Sequence, residues 1–447
     1  MGKPNVVNKV FAVCVSLLLC CCLPFFARAA AVSVQTPGED ASLRFSIKLG
    51  TGYRNAPTPP AVRGDSVYVV SGRFLYQLSA GTGETLAKQT LESISTYTAV
   101  PPTVTEDRIY MPLDDGVVQA FDRETLTPLW TYVDPLGGQG LCPVAVDGGR
   151  LYTGFWNGET NEASFVCLPA DGAGAQRVLW SYTKTGGFYR ATALTVGDTV
   201  VVGSDNGERV DRPDAPGAVL CFDKTTGALR SSLSLPGDIR CGVARDPETG
   251  ALWTATKAGL VVRMSLTDGV LAETGRFSAC GAVSVTPVPF GGSVYFAAQN
   301  GRAGRFYAVA SDTLIERRAA ELPGVPQGDL LLSSALWADY GTVQIYMTYN
   351  APPGGILMVE DSLQLTEGGA VTVFDPPEEA AQYCFCPVVC GEDGALYYKN
   401  DSGTVFAVSP PEKAPLSRSR FVSLLARLAR LFTLLCALRS FTAEAAI

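Results

Sequence analysis

The 447-residue chain contains no histidine, so several familiar chemistries are ruled out. A Ser-His-Asp triad, histidine-ligated zinc and the haem attachment signature all need that side chain. Carboxylates, lysine and tyrosine remain as acid–base groups. They stand in no spacing that marks a catalytic set, and we assign no catalytic residue, no metal ligand and no cofactor. Cysteine is the next reactive type. Cys142, Cys241, Cys280 and Cys386 each fall just before or at the start of a repeated apolar segment, and Cys384-Phe-Cys386 with Cys390 adds to the group. Three readings stay open: small apolar residues in a crowded place, disulfides, or a metal or redox site. No Cys-x-x-Cys pair supports zinc.

A polar set occupies the same positions in the pattern. Arg54, Tyr97, Gln139, Tyr189, Arg190, Arg240, Gln382 and Tyr383 lie just before the first strand of a repeated unit. If the units form a ring, these residues gather at one mouth of its central channel. Loops at one end of such a scaffold are a usual place for binding. Three converging arginines in an acidic body would suit an anionic or glycan-like ligand; solvated or locally paired arginines are the alternative. The insertion 205–216 carries spaced acids without the order of a calcium loop.

The elements that must position these residues repeat along the chain. One unit reads: small residue or Pro, Val, a turn, an apolar run, a turn with Gly, a second apolar run, a Thr-Gly turn and a last strand. Unit one begins at Pro60 and contains Val67-Tyr-Val-Val and Gly81-Thr-Gly-Glu. Further units begin at Pro102, Pro143, Ala193, near Val243, near Pro287, near Ala335 and at Pro387. The spacing, 41 to 52 residues, fits four short strands and three turns, the size of one propeller blade. Unit eight is cut short by Pro410-Pro411, while Leu43-Arg-Phe-Ser-Ile-Lys-Leu49 has the alternation of a strand and no blade of its own. We expect 43–49 to complete blade eight and close the ring. The predicted fold is all-β: an eight-bladed β-propeller closed by its N-terminal strand, with a C-terminal amphipathic helix.

The progression in unit two, Gly116-Val-Val-Gln-Ala-Phe-Asp followed by Leu129-Trp130, and in unit four, Gly217-Ala-Val-Leu-Cys-Phe-Asp-Lys-Thr-Thr-Gly227, resembles the pyrroloquinoline-quinone-like repeat family over about 43–408. Trp stands at the expected place only in units two and three, and unit seven has Gly355-Ile-Leu-Met-Val. The resemblance implies an eight-bladed ring and leaves function open, since the family includes quinoprotein dehydrogenases and an outer-membrane assembly lipoprotein. The dehydrogenases use adjacent cysteines over the cofactor. Here adjacent cysteines occur only at Cys20 to Cys22, so the enzyme reading lacks its residues.

The two ends differ from the body. Lys3 and Lys9, an apolar stretch Val10 to Phe26, and Ala27-Arg28-Ala29 read as a secretory signal peptide over 1–29. A retained anchor and a lipidated cysteine are the alternatives. Residues 412–447 carry six Lys or Arg against two Glu. Phe421, Leu424, Leu425, Leu428, Leu431, Phe432, Leu435 and Leu438 recur at helical spacing, apart from Arg420, Arg427 and Arg430. Such a helix lies on a membrane surface, packs on a protein or, less well, spans. The body, 30–411, keeps 26 basic and 41 acidic residues, which opposes nucleic-acid binding.

Together these features predict an exported, non-catalytic binding or scaffold propeller, membrane-attached by its tail. The partner is a protein or glycan ligand. An envelope assembly factor, and an enzyme using carboxylate or tyrosine chemistry at the channel mouth, are the alternatives.

Overall fold

The computed structural model describes residues 31–50, 58–94, 100–172, 178–209, 214–365 and 368–410. The signal segment, Arg54, Tyr97 and the whole tail 412–447, with Phe421, Leu424, Leu425, Leu428, Leu431, Phe432 and Leu435, lie outside the described residues.

Each repeated unit becomes one four-stranded antiparallel sheet, and eight such sheets are present. In blade 1 the strands are β2 (Ala61–Arg63), β3 (Ser66–Ser71), β4 (Phe74–Ser79) and β5 (Thr85–Thr90), paired in sequence order. Blades 2 to 7 repeat this order over 103–133, 145–185, 194–236, 244–278, 288–322 and 331–374. The middle two strands are the apolar runs: Val67, Val69, Val70, Leu75 and Leu78 are fully buried because each blade has a neighbour on both faces. Helix is confined, among the described residues, to the turns Trp337–Tyr340 and Glu378–Ala380.

Blade 8 is built from the two ends of the ring. Val389–Cys390, Leu396–Lys399 and Thr404–Ser409 are completed by β1 (Ser42–Lys48), which pairs antiparallel with Thr404–Ser409 from Ser42↔Ser409 to Lys48↔Thr404. The expected closure is therefore present. Arg44 of β1 ties the seam: its Nε donates to Ser409 Oγ at 2.7 Å, Nη1 donates to Tyr397 Oη at 3.1 Å and to Ala80 O of blade 1, and Nη2 meets Asp393 at 2.7 Å. Lys399, fully buried at the same seam, donates to Val70 O of blade 1 at 2.8 Å, and burial brings its amine down to about 8.

One sequence expectation needs correction. Unit seven does not begin near Ala335. Its first strand is Leu331–Ser333, and Ala335 already lies in the turn that leads to the helical residues Trp337–Tyr340. Leu330-Leu-Leu-Ser-Ser lacks the usual Pro or small residue, so the repeat's start signal falls one turn late, at Ala335.

The structure also shows what the motif's Trp does and what stands in its place where it is missing. The aromatic of an outermost strand packs on the turn glycine of the next blade. A Cβ on Gly172 would stand 2.0 Å from Trp130, and one on Gly227 2.5 Å from Trp180. Both glycines have positive φ, +69° and +73°, so the turn geometry and the packing each demand glycine. Phe45 on Gly83, Arg230 on Gly269 and Arg318 on Gly368 fill the same role at other blade junctions. The stitch survives where the tryptophan does not.

Candidate binding face

Because strands alternate in direction, the connections into each first strand and the turns between the second and third strands share one face, here termed upper. The turns between first and second and between third and fourth strands form the lower face. The upper face over blades 3 to 5 holds a tight ionic cluster centred on Arg240. Its Nη2 lies 2.6 Å from Glu159, 2.7 Å from Asp205 and 3.2 Å from Asp238, and its Nε donates to both Asp205 oxygens at 3.0 and 3.2 Å. Tyr189 lies 4.6 Å from the Arg240 guanidinium carbon by ring centroid and stacks edge-on against Trp156 at 5.4 Å. Gln139 and Trp156 exchange backbone hydrogen bonds at 2.7 and 3.0 Å. Thus Gln139, Tyr189, Arg190 and Arg240 come together on one sector.

Electrostatics within the cluster follow from burial. The Asp205 side chain is 1% exposed. Burial pushes its carboxyl up to about 8, against the pull of Arg240 and helped by Asp238 and Glu159. Arg240 is held more firmly protonated than usual: burial opposes this, and the carboxylates outweigh it. Lys184, which donates to Asp205 O at 2.9 Å, and Lys257, which donates to Ser284 Oγ at 3.3 Å, are both lowered chiefly by burial. The carboxylate oxygens of Glu159, Asp205 and Asp238 converge closely enough to hold a cation, and the Arg240 guanidinium stands among them.

Arg190 closes the axis. It adopts φ +54°, a left-handed conformation uncommon for a non-glycine residue. Its Nη1 donates to Gln327 O at 2.8 Å, linking the blade 3–4 connection to the blade 6–7 connection. The space left there, bounded by Pro143, Arg240, Cys241, Ser284, Asp329 and Pro387, is about 20 Å³. That admits about one water. The axial mouth does not fit a quinone cofactor, whose fused rings need far more room than one water.

Gln382 and Tyr383 stand elsewhere on the ring, in the blade 7–8 connection. Gln382 N donates to Pro353 O, and Tyr383 O accepts from Asp401 N at 2.9 Å. Among the described residues, no three thiols bring their sulfurs within metal-ligating distance of one another. Cys142, Cys241 and Cys386 are buried, whereas Cys280 is exposed beside Gln299 O. All eight described cysteines are unbridged. The buried ones find local acceptors, as Cys142 Sγ does on Ala191 O at 2.8 Å.

Beside the cluster, the upper face carries exposed Ile94, Val133 and Leu136. Leu136 edges a groove of about 260 Å³ between blades 2 and 3, floored by Tyr132, Asp134 and Ser164. Asp134 is fixed by hydrogen bonds from Tyr132 Oη at 2.9 Å and Ser164 Oγ at 3.1 Å. Glu159, Asp238 and Trp156, absent from the sequence-derived set, complete the site. Their signal was position: each lies in an upper-face connection, but acids in loops are too common to single out. Asp205 was visible only as the start of the 205–216 insertion.

Residues 44–160 match the family described as outer membrane protein assembly factor BamB. No curated protein matches the chain in sequence. Among solved structures, BamB from Moraxella catarrhalis is similar at 13% identity and TM-score 0.58, covering 84% of this chain and 99% of that one. The quinohemoprotein alcohol dehydrogenase from Comamonas testosteroni is similar at 14% identity and TM-score 0.64, covering 84% and 77%. The computationally designed Ika8 protein is similar at 13% identity and TM-score 0.58, covering 80% and 97%. At these identities the likeness is one of fold.

Proposed function

The chain is a β-propeller of the pyrroloquinoline-quinone-like repeat type, and on that premise we propose that it is an extracytoplasmic, non-catalytic binding propeller of the assembly-factor kind. Its upper face over blades 2 to 4 receives a partner protein, and residues 412–447 hold it at a membrane surface. The observation that carries this reading is the juxtaposition of exposed Val133 and Leu136, the groove between blades 2 and 3, and the Tyr189–Arg240 cluster. An apolar edge beside ordered charge is the anatomy of a protein interface, with anchors in a groove and polar groups setting register. The narrow axial mouth favours recognition across the face over a small molecule swallowed at the axis. The family description, an assembly factor, points the same way.

The test is copurification from membranes with the intact chain and with Leu136→Asp. The proposal expects a protein retained in fixed ratio by the first and lost by the second. Equal retention by both rejects this face. Deletion of 416–447 tests attachment separately: the protein then moves to the soluble fraction, and unchanged membrane association rejects the tail.

A further inference from the structure

Among the described residues, thirteen large apolar side chains are exposed, and nine of them lie on the lower face. Scattered exposed apolar residues need no explanation, but these recur at one place in the repeat. Leu86, Leu129, Leu229 and Val270 open the outermost strands of blades 1, 2, 4 and 5. Ile315 and Leu363 occupy the turns before the outermost strands of blades 6 and 7, and Leu43 opens β1 in blade 8. Their exposures run from 44% to 64%. Seven of eight blades therefore raise an aliphatic side chain at the same rim.

We infer that this lower rim rests on a lipid surface. The inference builds on the membrane attachment proposed above and adds which face meets the membrane. A protein of ordinary size would cover one sector of the ring, whereas a flat lipid surface meets every blade at once. The path of the chain agrees: Ser409, paired with Ser42 beside Leu43, ends the last described strand at this rim, and the six cations of 412–447 follow it in sequence. The acids between the aliphatic residues, Glu84, Asp268 and Asp312 among them, limit depth. The rim thus seats shallowly among headgroups, with the cationic tail supplying attraction to anionic lipid. In this orientation the Arg240 face points away from the membrane, toward a partner.

The experiment uses the full chain with Cys280→Ser, which removes the exposed thiol among the described residues, and Cys436→Ser, which removes the thiol of the tail. A bimane dye is placed at Leu86→Cys, Val270→Cys or Ile315→Cys on the lower rim, or at Leu136→Cys above. Each protein is mixed with vesicles of phosphatidylcholine and phosphatidylglycerol carrying nitroxide lipid. Rim dyes are expected to be quenched at least about twofold more than the dye at 136. The combined variant Leu86→Asp, Val270→Asp, Ile315→Asp is expected to bind at least about tenfold more weakly with unchanged melting, since area removed from lipid contact scales with affinity. A vesicle-bound chain with unquenched rim dyes, or with equal quenching on both faces, overturns this inference alone. A full chain that stays in solution overturns the attachment reading as well.

Discussion

Arg240 and Asp205 form a buried pair in which one guanidinium nitrogen sits 2.7 Å from an Asp205 oxygen while Nε reaches both. Glu159 and Asp238 share the same cation. The pair joins the turn between the second and third strands of blade 4 to the connection entering blade 5. The blade 3 turn that carries Glu159 is drawn in as well.

Above about pH 8, where Asp205 is ionised, removing that cation strands three carboxylates. There Arg240→Ala is expected to lower folding stability by about 3–5 kcal/mol, the cost of leaving buried charge unpaired. Arg240→Lys should recover only part of it, because an ammonium cannot reach Asp205 with two parallel donors. Urea titration of the three proteins measures this. A loss below about 1 kcal/mol for the alanine variant contradicts the geometry.

The same cluster sets a pH dependence. Folded Asp205 keeps its proton to about pH 8, and an unfolded aspartate only to about 4. Between those values the folded state binds more protons, so this group's contribution to stability falls as pH rises from about 4 to about 8. Asp205→Asn should flatten that part of the melting profile. A profile of the same slope in both proteins contradicts it.

Ring closure by β1 makes a second stability prediction. Deleting Ser42–Lys48 exposes the edge of Thr404–Ser409 and removes Arg44 from four partners across the seam. Loss of cooperative unfolding by circular dichroism is expected. Arg44→Ala alone should cost about 1–3 kcal/mol, the range for charge-assisted hydrogen bonds. A deletion variant with unchanged melting temperature contradicts closure.

The stitch between blades is testable at one glycine. Gly227→Ala places a Cβ against the Trp180 ring in a positive-φ turn. A loss of about 1–3 kcal/mol is expected, from strain and displaced packing. Trp180→Ala in the same background should make the glycine substitution cheaper. Equal cost in both backgrounds denies the contact.

Much of the fold was legible because a propeller repeats. Val67-Tyr-Val-Val and its counterparts mark the buried middle strands, and the unpaired alternation at 43–49 located the closing strand. Blade seven was placed late because Leu330-Leu-Leu carries no turn residue at its start. The site was legible only in part. Gln139, Tyr189, Arg190 and Arg240 share a position in the repeat and meet in space, while Gln382 and Tyr383 share that position and stand apart. Repeat position gives a residue's face and radius, and unit order its angle around the ring, but neither gives its partners. Pairing among Glu159, Asp205, Asp238 and Arg240 joins residues up to 81 apart, and only folding reveals it.

The central claim is that the upper face over blades 2 to 4 receives a protein. A photo-crosslinking residue placed at Leu136, and in parallel at Leu86 on the opposite face, tests it most directly in membranes from cells making the full chain. The account predicts one discrete protein adduct from position 136, lost when Arg240→Ala is added, and no such adduct from position 86. The same adduct from both positions, or none from 136 while the protein remains membrane-bound, would contradict it.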